Sequence, residues 1–301
     1  MFKRKENNLK PVERLAFFCS YSTFWKVLSG SAAVYTILMV SSKRKIIFES
    51  INKFLMKKLL FLFLGFTCIQ PLVAQNVDEI ITAYHEAIGG KKWDAVNGLR
   101  MTANVEQGGM KIPVEVVTLR DGRMYTKVTL MGNTMTMAAF DGEKSWSTNF
   151  MTMEPEEGTA ETSENSKRAT REFPNPLINY KNLGYTAILI GSEKVEGTDC
   201  FKIKLEKKTM LLEGQEVPNV EFYYLDKENN VPVLVESEIK EGEMKGKTSQ
   251  SKFSDYQEVN GVFVPFSTSS GIKDGQSQII QFDKVEVNPV FDEKDFKFPK
   301  K

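Results

Sequence analysis

Few side chains in this 301-residue chain have the types and spacing that catalysis needs. The single histidine, His85, falls between Ile81 and Ile88 in an apolar pattern of helical spacing, the setting of a partly buried helix residue rather than of a general base. The three cysteines are Cys19, Cys68 and Cys200, and only Cys200 lies beyond residue 74. One histidine and one cysteine cannot build a histidine triad or a His/Cys metal site, and a lone cysteine cannot close an internal disulfide. Gly89-Gly90 follows a helical pattern instead of preceding one, so it is not a phosphate-cradling loop. Carboxylates are plentiful and leave a paired-acid hydrolase as the third-ranked reading. Glu154, Glu156 and Glu157, however, sit in a polar stretch where a solvated charge run is the simpler meaning. The residues therefore point to no catalytic group, no metal and no cofactor.

In place of reactive groups the chain offers soft apolar surface. Met124, Met131, Met135, Met137, Met151 and Met153 crowd one stretch of alternating pattern. Methionine is flexible and polarizable, and it recurs on surfaces that take variable apolar partners. In strand alternation Met124, Val128 and Leu130 share one face. Met135 and Met137 share a face of the next strand, and Trp146 and Phe150 a face of the one after. Phe222, Tyr224, Val233 and Val235 are further candidates on later strands. A sheet curved around such side chains would enclose a cavity suited to alkyl chains. The same residues would also fill an ordinary methionine-rich core, and alternation alone does not separate the two. Cys200 reads as a small buried hydrophobe.

The elements that must position these residues are legible from periodicity. Asn76 to Ile88 carries Val77, Ile80, Ile81, Tyr84 and Ile88 at helical spacing, with Asn76 and Glu79 suited to a capping box and Gly89-Gly90 to a stop. A short further turn is expected around Trp93. The period then becomes two. Gly108-Gly109, Asp121-Gly122, Gly132-Asn133 and Asp141-Gly142 punctuate strands over 99–107, 110–120, 123–130, 134–140 and 144–150, the pattern of an antiparallel meander. Residues 154–172 are polar, helix-compatible from Thr162 to Glu172, and ended by Pro174 and Pro176. They predict an exposed flap or lid rather than a core helix. Strands resume over 187–194, 200–205, 220–226, 231–239, 247–256, 262–268 and 277–287. No internal repeat or second-domain boundary interrupts residues 75–301, which predict a single β domain.

The net charge of +1 conceals two unlike parts. Residues 1–74 hold 12 of the 40 Lys/Arg and 3 of the 39 Asp/Glu, leaving residues 75–301 with a net charge of −8. An acidic body repels phosphate backbones, so nucleic-acid binding is not expected. Residues 56–74, MKKLLFLFLGFTCIQPLVA, combine two lysines, an apolar run too short to span a bilayer, a proline and a final small residue. They are read as a signal peptide cleaved after Ala74. Gly65 and Phe66 argue against lipidation at Cys68. Residues 1–55 are expected to be a mis-assigned upstream extension, with translation beginning at Met56, or else a weak anchor around Val27–Val40. Export to the periplasm follows from this reading.

Four stretches in order carry a resemblance. They are the opening Val77–Gly90; Asn182–Ile203 with its turn at Gly197; Phe222–Asp226 followed by Val231–Glu236; and Asp255–Phe266 followed by Val285–Asn288 and Phe296–Pro299. Over residues 76–299 the chain resembles the outer-membrane lipoprotein-sorting family of LolA-like carriers and LolB-like receptors. The resemblance implies a curved antiparallel sheet forming an incomplete, or half, barrel. An N-terminal helix and a helical flap would lie over the open side, with Arg168 and Arg171 of the flap as candidates for the carrier's closing contact, and an apolar cavity would hold lipoprotein acyl chains or another lipid. It implies a non-enzymatic monomer in the periplasm, or on the periplasmic face of the outer membrane, of a Gram-negative bacterium. Membrane-bound donor and acceptor proteins would be its partners. The alternative is a non-catalytic cell-envelope protein that uses the same fold for protein contact.

Overall fold

The computed structural model describes residues 76–299 apart from Gly108 and Phe150. The signal-peptide and upstream readings, which concern residues 1–74, lie outside the described residues. Gln75–Lys301 forms a compact unit.

Helix α1 (Val77–Ala87) begins at Asn76, whose side-chain oxygen accepts from the Asp78 amide at 3.3 Å. The cap thus closes on Asp78 and not through the expected box with Glu79. The Asp78 carboxylate instead takes the Lys181 ammonium at 2.7 Å and the Tyr180 hydroxyl. Those two bonds hold its carboxyl below the usual carboxylate range. The predicted stripe is real: Ile80, Ile81, Tyr84 and Ile88 are all buried. At the helix end Gly89 has φ 119°, and a Cβ there would meet the Gly261 carbonyl oxygen at 2.7 Å. Glycine is needed for the backbone angle and for this close approach. The Phe263 amide donates to the Ile88 carbonyl at 2.8 Å, which fixes the helix end on the sheet. A 3-10 turn (Gly90–Ala95) then seats Trp93, whose indole N–H donates to Ile88 O at 2.9 Å.

The first meander is β1 (Gly98–Gln107), β2 (Met110–Leu119), β3 (Met124–Leu130), β4 (Asn133–Phe140), β5 (Ser145–Thr148) and β6 (Pro155–Glu157). Helix α2 (Ala160–Ala169) and the single turn α3 (Tyr180–Leu183) follow. The second run is β7 (Thr186–Val195), β8 (Thr198–Glu206), β9 (Met210–Leu212), β10 (Gln215–Val217), β11 (Val220–Asp226), β12 (Pro232–Glu238), β13 (Thr248–Val259), β14 (Val262–Ile272) and β15 (Ser277–Val287). Thirteen strands form one sheet in the order β6-β5-β4-β3-β2-β1-β15-β14-β13-β12-β11-β8-β7, while β9 and β10 make a separate hairpin. Every pairing is antiparallel, and β6 and β7 remain edges. The sheet is not closed: it is the open, curved half-barrel that the resemblance implies. Three short strands, β6, β9 and β10, were not expected, and the flap helix is shorter than its compatible stretch.

Strand alternation gives the sheet two faces. The inner face meets α1 in the main core, which includes Ala103, Ile203, Leu205, Tyr223, Leu225, Val262, Val264, Phe282 and Val285. The outer face of β2–β5 is sealed by the C-terminal tail. There Val117, Leu119, Tyr125, Ala139 and Trp146 pack with Phe291, Phe296 and Phe298. The Trp146 indole donates to Phe296 O at 2.8 Å, and Lys127 meets Asp295 at 2.7 Å. A third, small cluster of Cys200, Tyr224 and Leu234 lies on the outer face of the second half. All three cores close within Gln75–Lys301, so this unit carries the apolar burial that folding requires.

Candidate ligand-binding face

Register decides which side chains meet. Ala103, whose side chain joins the main core, pairs with Val114, and Met101 pairs with Val116. Val114 pairs in turn with Val128, and Thr118 with Met124. Val128 then pairs with Met135, and Met124 with Phe140. The inner face of β2–β4 is therefore a strip of Val114, Val116, Met124, Val128, Leu130 and Met135. Met137 falls beside it at the bulge opposite Thr126 and Lys127. Each of these seven side chains is only half-buried, and none belongs to the three buried clusters. The strip is an apolar surface adjoining the main core on the same face.

The flap borders this strip. Ser145, paired with the inner-facing Phe140, receives α2 through two bonds. Its amide donates to Ser163 Oγ at 3.1 Å, and its hydroxyl meets Ser166 Oγ at 2.9 Å. The other side of α2 is clasped by the β9–β10 hairpin. The Asn165 amide group both donates to Leu211 O and accepts from Leu211 N, each at 2.8 Å, as a strand neighbour would. Glu161 accepts from the amides of Glu213 and Gly214 at 3.1 and 2.8 Å. Arg168 reaches both Glu216 oxygens at 2.8 and 2.9 Å and the Thr209 carbonyl at 2.8 Å. The Arg168 guanidinium and the Thr209 hydroxyl pull the Glu216 carboxyl down to about 2. Only Ser163 of α2 is buried, so polar bonds hold the flap in place of a core.

Behind the flap lies a charged network. Lys207 bonds Glu172 at 2.8 Å and Glu221 at 3.0 Å. Tyr185 donates to Glu172 and Tyr223 to Glu221, each at 2.7 Å. Burial alone would lower the Lys207 pKa, but Glu221 and Glu172 outweigh it and hold the ammonium above its usual range. Burial, and then Glu221, push the Tyr223 phenol well up. The network ties the chain leaving the flap to β11, whose Tyr223 stands in the main core.

The sequence candidates divide by face. The structure brings Met124, Val128, Leu130, Met135 and Met137 together on the open strip. Val235 pairs with Tyr223 and packs on the main core of the same face. Trp146 lies on the outer face under the C-terminal tail, while Phe222, Tyr224 and Val233 belong to the outer Cys200 cluster. Phe150 lies outside the described residues. Arg168 holds the hairpin clasp, and Arg171 is exposed beyond the helix end. Cys200 is fully buried, and burial raises its thiol pKa. Val114 and Val116 complete the strip and were missed, although their alternation with Glu115 and Val117 carries the signal. The clasp was missed as well; the Glu213-Gly214 turn after the apolar Met210-Leu211-Leu212 is its one sequence trace. A cleft of about 560 Å3 opens on the outer face between Trp146, Thr136 and the tail residues Lys294, Lys297 and Phe298.

No family profile and no curated protein matches the chain. Among solved structures, it is similar to a LolA superfamily protein from Nitrosomonas europaea, at 13% identity and TM-score 0.46, over 75% of this chain and 99% of that one. It is similar to a DUF1329 family protein from Desulfovibrio piger at 12% identity and TM-score 0.46, over 73% and 97%. A putative outer membrane lipoprotein-sorting protein domain from Vibrio parahaemolyticus aligns at 12% identity and TM-score 0.42, again over 73% and 97%.

Proposed function

We propose that this protein is a non-enzymatic carrier of acyl chains, exported by the signal peptide at 56–74, that serves outer-membrane lipoprotein sorting from the periplasm. The observation that carries the reading is the half-buried strip of seven apolar side chains on the inner face of β2–β4. Leaving such side chains in water forgoes about 1.5–3 kcal/mol each relative to full burial, so a sheet that presents seven together calls for an apolar occupant. Methionine at three of the seven positions suits chains of variable length and unsaturation. The acids of the network behind the flap support binding rather than hydrolysis: Glu172 and Glu221 are both engaged by Lys207 and by a tyrosine.

Uptake and release in this reading need no cofactor. The flap is tied by polar bonds in place of an apolar core, and its displacement would expose the strip. A donor or acceptor protein sets direction by binding the open and closed states unequally.

The test is native mass spectrometry of residues 75–301 purified without detergent, with organic extraction of bound material. Co-purified lipid or acylated peptide is expected, and Met135→Asp/Met137→Asp is expected to abolish it with folding retained. A clean apo mass and no uptake of an added fatty acid would overturn the reading.

A further inference from the structure

The outer cleft has no part in the carrier reading, and its walls combine two chemistries. The floor is aromatic. Trp146 and Phe298 meet edge to face with ring centroids 5.9 Å apart, and Thr136 of β4 borders them. The rim is cationic, since Lys294 and Lys297 both line it. Local structure places those two together. The tail forms a 3-10 turn (Glu293–Asp295) capped by Asp292, and the Lys297 amide donates to the Lys294 carbonyl at 3.2 Å. Such i to i+3 geometry stacks side chains three positions apart, so both ammoniums stand on one side of the chain. Phe296 between them turns the other way and is buried in the tail seal.

Positive charge is in surplus at this rim. The acids beside it already have cations. Glu293 is held by Arg123, and Asp295 by Lys127 at 2.7 Å. Glu157, which pairs with Trp146 across β5 and β6, is held by Lys144 at 3.1 Å. Among the described residues neither Lys294 nor Lys297 has such a partner. The cleft thus sets two uncompensated ammoniums above an aromatic floor.

We infer that the cleft binds a small soluble amphiphile with an anionic head, a phosphate monoester on a short alkyl or aromatic body. Its volume of about 560 Å3 is that of a small-molecule pocket. The head lies between Lys294 and Lys297, whose two point charges match a dianion, and the body lies against Phe298 and Trp146. The size and charge of the rest of the protein select a small ligand over a large one. An acidic protein or an anionic bilayer would face the whole unit, with its net charge of −8, and be repelled. A single small anion beside two ammoniums is screened from acids more than about 10 Å away at 0.1 M salt. The cleft lies on the opposite face of the sheet from the apolar strip, so this inference goes beyond the carrier reading and does not depend on it.

The test is an NMR titration of residues 75–301 with decyl phosphate below its micelle concentration, following the indole N–H signals of Trp93 and Trp146. The Trp146 signal is expected to shift and saturate while the Trp93 signal stays. Lys294→Gln/Lys297→Gln leaves the buried Phe296 seal in place and is expected to weaken binding about 10-fold, whereas Lys294→Arg/Lys297→Arg keeps it. No shift of Trp146, or equal affinity in the glutamine variant, would overturn the inference. Equal affinity for decyltrimethylammonium would remove the role of charge, and equal affinity for inorganic phosphate the role of the floor; either result overturns it. Flotation with phosphatidylglycerol vesicles in the absence of any response to free decyl phosphate would assign the lysines to a membrane instead. Met135→Asp/Met137→Asp keeps this claim apart from the carrier. It is expected to abolish fatty-acid uptake and leave the Trp146 titration unchanged. Loss of the Trp146 response in that variant would place decyl phosphate on the strip and overturn the inference. A Trp146 response in a wild type that takes up no fatty acid would sink the carrier alone.

Discussion

The two halves of the inner face are made of similar residues and reach opposite ends. Under α1 the strands bury Ile203, Leu205, Leu225 and Val262 completely, each at 0% exposure. On β2–β4 the corresponding side chains stay half-exposed. The difference is what lies on each face. The second half is covered inside by a helix whose stripe is fixed at Gly89 and by Tyr180 and Leu183 of α3. The first half is held from outside, where the C-terminal tail seals Tyr125 and Trp146 with Phe296. Stability for these strands comes from the outer face, which frees the inner one to remain open. An exposed apolar strip can persist only where something else secures its strands.

The sharpest break of this contrast is in the covered half. Lys207→Met strands Glu172 and Glu221 in a poorly solvated site and is expected to cost about 3–5 kcal/mol. Urea unfolding measures it, and a loss under about 1 kcal/mol would show that the network is not structural. Next, Ile203→Ala opens a cavity in the packed half and is expected to cost roughly 2–5 kcal/mol. Met135→Ala on the open strip leaves no enclosed cavity and is expected to cost at most about 1 kcal/mol, while weakening acyl binding. Equal costs for the two would erase the distinction between the halves. On the outer side, Phe296→Ala removes a side chain of 1% exposure from the tail seal and is expected to cost roughly 3–5 kcal/mol, destabilising β2–β5 although it touches no ligand.

The smallest effect concerns the flap. Glu216 has a folded-state pKa of about 2, below its ordinary 4.5. A depressed carboxyl contributes stability that is fully present above the ordinary value and is lost as pH falls through the folded one. The clasp is therefore intact at neutral pH and loosens between about pH 4.5 and 2. Hydrogen exchange of Leu211 and Gly214 should quicken over that window in wild type. In Arg168→Ala it should already be fast at pH 7.

Much of this was legible in the sequence, for identifiable reasons. The α1 stripe and its double-glycine stop are local patterns, and the turn dipeptides fix hairpins between neighbours in the chain. Face assignment is different. Trp146, Phe222 and Tyr224 alternate as regularly as Met124 and Val128, and period two alone does not say which parity faces inward. That depends on partners far away in sequence: Phe296 lies 150 residues from Trp146. The flap clasp is also non-local, since Asn165 bonds Leu211 and Arg168 bonds Glu216 across nearly fifty positions. A polar helix gives no apolar signal from which such a partner could be read.

The central claim, that the open half of the inner face holds acyl chains, is tested most directly by photolabelling. Residues 75–301 would be loaded with a diazirine fatty acid, irradiated and mapped by peptide mass spectrometry. Label on β2–β4 at Val114, Met124, Val128, Met135 or Met137, competed by unlabelled fatty acid, is the predicted result. Label confined to the outer cleft at Trp146 and Phe298, or no competable label, would contradict the claim.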